Sequence, residues 1–100
     1  MLRTTALIAA MAAFAAPAFA ASTFVAQLET PVAEQERFVA NKALWSCEGD
    51  TCTAELKRKS PTVRSCRKFV KEIGPVTTFA TGDRALSEED VAACNESAKR

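Results

Sequence analysis

The chain of 100 residues contains no histidine and no tyrosine. Without histidine it lacks the side chain that titrates nearest neutral pH, and so the usual general base, the serine or cysteine triad and the commonest metal ligand. Carboxylates remain, at Glu48 and Asp50 and again at Glu88, Glu89 and Asp90. A glycosidase pair must face each other across a cleft, and a chain this short leaves little room for one. Acids in the first turn of a helix have a simpler use, which is to complement its dipole. The sequence therefore reads as that of a non-enzyme, with no catalytic residue, cofactor or metal expected. Internal repeats are also missing, and after the first twenty residues so are low-complexity segments.

Those twenty residues, MLRTTALIAAMAAFAAPAFA, read as a targeting segment. Arg3 is the positive start, Ala6 to Ala16 carry no charge, and Ala18-Phe19-Ala20 fits an A-x-A cleavage site behind Pro17. Cleavage after Ala20 is the first expectation and after Ala18 the second. The apolar run is shorter than the roughly 20 residues a membrane span needs, so no span is expected once the segment is removed. What remains is a single small domain, residues 21–100. Export would also remove one of the 13 basic residues, Arg3, leaving 12 against 12 acidic ones. A neutral chain has no global pull toward nucleic acid or anionic lipid. A domain of this size buries only about 60% of its unfolded surface and needs additional support. Four cysteines, Cys47, Cys52, Cys66 and Cys94, offer it as two disulfides.

Alternation over Phe24 to Leu28 predicts a half-buried strand, and Arg37–Ala40 a second. Asn41-Lys42 mark a turn or bulge. Ala43–Glu48 and Thr51–Leu56 flank Gly49-Asp50, a two-residue hairpin loop. Counting outward from that loop pairs Glu48 with Thr51, Cys47 with Cys52, Ser46 with Thr53, Trp45 with Ala54, Leu44 with Glu55 and Ala43 with Leu56. The second pair is a non-hydrogen-bonded site, where Cα atoms approach to about 4.5 Å, within disulfide reach. The same register puts Trp45, both cysteines, Ala54 and Leu56 on one face.

The stretch KSPTVRSCRKFVKEIG predicts a helix capped by Ser60, with Pro61 in its first position and Gly74 as its left-handed stop. Its apolar face holds Val63, Cys66, Phe69, Val70 and Ile73. PVTTFA predicts a last strand and Thr81-Gly82-Asp83 a turn. A second helix starts at Ser87, with Asp90 placed for a capping box, Leu86 and Val91 for a staple, and Val91, Cys94 and Ala98 facing inward. Four strands, a helix, a strand and a helix make an α+β fold: a small antiparallel sheet with two helices packed on one face and two disulfides. Only the pairing Cys47–Cys52 with Cys66–Cys94 joins elements that already lie together.

C-x4-C across a turn is not the C-x-x-C at a helix start that favours thiol exchange. Zinc would need two close ligand pairs, which Cys66 and Cys94 do not supply. The cysteines read as staples. Phe24, Phe38, Trp45, Phe69 and Phe79 read as core and not as stacking platforms, so nucleic acid is not expected. Lys57, Arg58, Lys59, Arg64, Arg67, Lys68 and Lys71 form a basic run with no acid inside it. Arg64, Arg67, Lys68 and Lys71 share the outer face of the first helix. They are either a solvated face or a surface for an anionic partner, a protein or an envelope component.

Together, LWSCEGDTCTA, RSCRKFVKEIGPVTTF and LSEEDVAACNE resemble a family of small exported four-cysteine proteins of Gram-negative bacteria with no assigned function. The resemblance implies a periplasmic or secreted address and the same cysteine pairing, and it supplies no active-site residue. The functional expectation is a non-enzymatic envelope interaction module. The alternative is an envelope thiol–disulfide or other small enzyme using Cys47 and Cys52.

Overall fold

The structure, a computed structural model, describes residues 22–99. The stretch read as a targeting segment, with its expected cleavage points, lies outside the described residues. The elements are β1 (Ser22–Leu28), β2 (Glu36–Ala40), β3 (Ala43–Glu48), β4 (Thr51–Leu56), α1 (Val63–Ile73), β5 (Val76–Thr81), β6 (Arg84–Ala85) and α2 (Glu88–Asn95). The six strands form one antiparallel sheet in the order β2-β3-β4-β1-β5-β6. The α+β class, the two helices and both disulfides are as the sequence predicts.

Side-chain alternation decides which face is covered. Phe24, Ala26 and Leu28 of β1 are buried, as are Trp45 and Cys47 of β3, Cys52, Ala54 and Leu56 of β4, and Val76 and Phe79 of β5. Against them pack Cys66, Phe69 and Val70 of α1 and Cys94 of α2. The rings of Phe38, Trp45, Phe69, Phe79 and Phe24 run through this core with neighbouring centroids 4.6 to 6.5 Å apart. The indole Nε1–H of Trp45 donates to the Ala40 carbonyl at 3.2 Å, so its one polar atom is satisfied inside the core.

Two hairpin loops place a glycine first, Gly49 and Gly82, each with φ near +60°. The residue that follows each has negative φ, the type II′ pattern that suits strand twist. In the β3–β4 ladder, Glu48–Thr51, Cys47–Cys52 and Ser46–Thr53 pair as the count predicts. The ladder then stops. Beyond it each strand keeps only its outer neighbour, Trp45, Leu44 and Ala43 pairing with Phe38, Val39 and Ala40 of β2, and Ala54, Glu55 and Leu56 with Phe24, Thr23 and Ser22 of β1. Strand twist of about 20–25° per neighbour makes such divergence natural at the open end of a hairpin.

Two further details depart from the sequence reading. The sheet has a sixth strand, the two-residue β6 after the Gly82 turn, too short for alternation to reveal. Helix α1 also starts later than expected. Its N-cap is Thr62, with Pro61 before it. Thr62 Oγ1 accepts from the Ser65 N–H at 3.0 Å, and Ser65 Oγ accepts from the Thr62 N–H at 3.2 Å. Reciprocal capping satisfies two orphan donors where Ser60 could satisfy one. The Ser60 hydroxyl accepts instead from Arg84 Nη1 at 2.7 Å, tying β6 to the loop before α1. At the other end Gly74 does stop the helix, at φ +127° and ψ −179°. This region is open essentially to glycine alone.

Candidate functional site

The cysteines come first, because they decide whether the molecule can do thiol chemistry. Cys47 and Cys52 are cross-strand neighbours with Cα atoms 4.0 Å apart, and Cys66 joins Cys94 between the two helices at 5.7 Å. All four are fully buried, and no free cysteine is present. Among the described residues no group of three or more acidic, histidine or cysteine side chains is placed to hold a metal. The candidate carboxylates do not converge either. Glu48 and Asp50 lie at the exposed tip of the β3–β4 hairpin, while Glu88, Glu89 and Asp90 form the first turn of α2. Ser87 Oγ accepts the Asp90 N–H at 3.1 Å, one half of the expected capping box.

The four stripe residues lie on α1. On α1, Cys66, Phe69 and Val70 point into the core, whereas Arg64, Arg67, Lys68 and Lys71 are exposed on the opposite side. None of the four has a carboxylate within ion-pair distance among the described residues. Packing against α2 buries the disulfide and does not neutralise the stripe.

A second basic feature was not singled out from the sequence. Where the β3–β4 ladder ends, a cleft of about 360 Å³ opens, lined by Asn41, Lys42, Ala43, Glu55, Leu56, Lys57 and Arg58. Its far wall is the β2–β3 turn, in which Asn41 (φ +56°) and Lys42 (φ +60°) both take the left-handed conformation of a type I′ turn. Asn41 Nδ2 donates to the Ser65 carbonyl of α1 at 2.9 Å, holding the turn against the helix. Its Oδ1 is buried without a hydrogen-bond partner among the described residues. The one carboxylate, Glu55, accepts from the Thr23 hydroxyl at 2.6 Å. The sequence carries its parts separately, the Asn41-Lys42 turn and the start of the basic run at Lys57 and Arg58. That Lys57 and Arg58 would stand opposite depends on β4 ending beside that turn.

The antiparallel register also separates charge along the sheet. Glu29, Glu48 and Asp50 gather where β1 and β3 end and β4 begins, since the Leu28 N–H meets the Asp50 carbonyl at 2.8 Å. Lys42, Lys57 and Arg58 gather at the opposite end. The sheet thus carries an acidic cluster at one end and a basic one at the other, with Glu55 the single acid among the latter.

A family model described as a family of unknown function, DUF8200, matches residues 9–96. The chain belongs to DUF8200. Searches of curated proteins and of solved structures return no match. For this DUF8200 member the functional argument therefore rests on the stripe, the cleft and the buried disulfides. The match begins at residue 9, inside the apolar segment, so the family's common sequence includes more than the described domain.

Proposed function

We propose that the protein is an exported, non-enzymatic interaction module of the cell envelope, which docks an anionic partner on the outer face of α1. One observation carries the reading: Arg64, Arg67, Lys68 and Lys71 are exposed together on one helix face with no carboxylate in ion-pair reach among the described residues. Four like charges left without counter-charges raise the local potential and attract an acidic surface. The address is supported by the two disulfides, which persist in oxidising compartments such as the periplasm, and by the targeting segment read in the sequence. The aromatic rings lie in one packed cluster, which counts against nucleic acid as the partner.

A thiol–disulfide enzyme at Cys47 and Cys52 is the weaker alternative. Exchange requires a thiolate to reach a sulfur, and both residues are 0% exposed. Measuring the reduction potential separates the two. A permanent bridge lies below about −300 mV, and exchange catalysts lie between about −270 and −120 mV.

The docking reading has a direct test. The exported protein, immobilised, should retain an anionic envelope component at low salt and release it at 1 M, where the screening length is about 3 Å. Reversing Arg64, Arg67, Lys68 and Lys71 to glutamate should abolish retention with the fold intact, because all four side chains are exposed. Retention unchanged in that variant removes the stripe as the docking surface.

A further inference from the structure

The cleft at the open end of the β3–β4 hairpin has the size, charge and local strain of a small-ligand site. Its volume, about 360 Å³, falls in the range of small-molecule pockets, about 300–1,000 Å³. Its floor includes Leu56, only 3% exposed, and half-buried Ala43, so a charge seated there is less well screened than on open surface. Three cations line it, Lys42, Lys57 and Arg58, against one carboxylate, Glu55. None of the three cations has a carboxylate within ion-pair distance among the described residues, and Glu55 is occupied by the Thr23 hydroxyl. The cleft therefore carries a surplus of two positive charges.

Two unfavourable features meet in its far wall. Lys42 holds a left-handed conformation that side chains other than asparagine, aspartate and glycine rarely take. Next to it, the buried Oδ1 of Asn41 accepts no hydrogen bond. Strain and unmet polar groups persist where the surrounding structure enforces them, and they cluster at binding sites.

We propose that this cleft binds a phosphate monoester. Such a group carries about −1.5 to −2 charges at neutral pH, which matches the surplus, whereas a carboxylate or a phosphodiester carries one. The Arg58 guanidinium can take two phosphate oxygens in a fork, and the two lysines act as point charges. The ligand is then a soluble phosphorylated small molecule or the headgroup of a lipid that ends in a phosphate monoester. The site uses none of the four α1 stripe residues, so it stands or falls separately from the docking reading.

The test uses the protein purified after export, in low salt, followed by amide NMR and calorimetry. Glycerol phosphate is the soluble probe. Phosphatidylcholine vesicles with and without phosphatidic acid test the lipid source. Expected is saturable binding of glycerol phosphate or of the phosphatidic acid vesicles, with shifts confined to residues 41–43 and 55–58 for the soluble probe. Binding should strengthen as pH rises through about 6, where the monoester gains its second charge. Lys57→Gln with Arg58→Gln should weaken it at least about tenfold (roughly 1.4 kcal/mol), and Lys68→Gln with Lys71→Gln should leave it unchanged. Glycerol phosphate binding assigns a soluble ligand. Vesicle binding alone assigns the headgroup. Binding of neither probe overturns the proposal, and so does equal loss in both variant pairs.

Discussion

Lys42 shows how one residue links stability to binding. In the second position of a type I′ turn, glycine is favoured because its φ is positive without a steric penalty, yet this chain places a lysine there at φ +60°. Lys42→Gly should therefore stabilise the fold by about 1 kcal/mol, read as a higher urea midpoint at unchanged slope. The same change removes one of three cleft cations and should weaken phosphate binding. A midpoint that falls would show that the lysine makes a stabilising contact outweighing its backbone strain. The turn itself was legible, because asparagine tolerates the left-handed region and two strands flank it. The start of α1 was not, since Ser60 and Thr62 are both competent caps. Only the reply from Ser65, and the capture of Ser60 by Arg84, decides between them.

Among the elements, α2 depends most on its attachments. It has eight residues, too few for a helix to be stable alone, and only Cys94 in it is fully buried. Three ties hold it: the Cys66–Cys94 disulfide, the Asn95 carboxamide that both accepts from and donates to the Val76 backbone at 2.9 and 2.8 Å, and the Lys99 N–H bonded to the Val70 carbonyl at 2.9 Å. The helix was legible from Ser87 and the acids after it. The Asn95 clamp was not, because nothing in the sequence says that the start of β5 will lie beside residue 95. The two disulfides should differ in worth. Closing the short Cys47–Cys52 loop contributes about 2 kcal/mol in the chain-entropy model, and closing the long Cys66–Cys94 loop about 3.5. Replacing Cys66 and Cys94 with alanine should therefore lower the denaturation midpoint more than replacing Cys47 and Cys52. It should also expose amides of residues 88–99 to hydrogen exchange ahead of global unfolding. Equal losses from the two pairs would mean that α2 is held by packing and not by its crosslink.

For the whole molecule the decisive fact is the place of β1. Alternation showed that residues 24–28 form a strand and which side is buried, but pattern carries no information on neighbours. The structure sets this first strand in the middle of the sheet, paired with β4 on one side and β5 on the other. Its partners are distant in sequence, Phe24 lying opposite Ala54 and Thr81. Long-range pairing of this kind makes folding slow, on the millisecond-to-second scale. It also makes β1 the connection between the β2–β3–β4 half, with its disulfide and cleft, and the helical half with β5. Phe24 and Ala26 are completely buried, and the Thr81 hydroxyl donates to the Thr23 carbonyl at 2.8 Å across the β1–β5 pair. Removing residues 22–28 would leave two interior strand edges unpaired and open the core along its length, which local repair cannot mend. The expected result is loss of the cooperative thermal transition and of the near-ultraviolet signal from Trp45, even with both disulfides closed. If the shortened chain still melts cooperatively with Trp45 held rigid, β4 and β5 have joined directly and the sheet does not need its central strand.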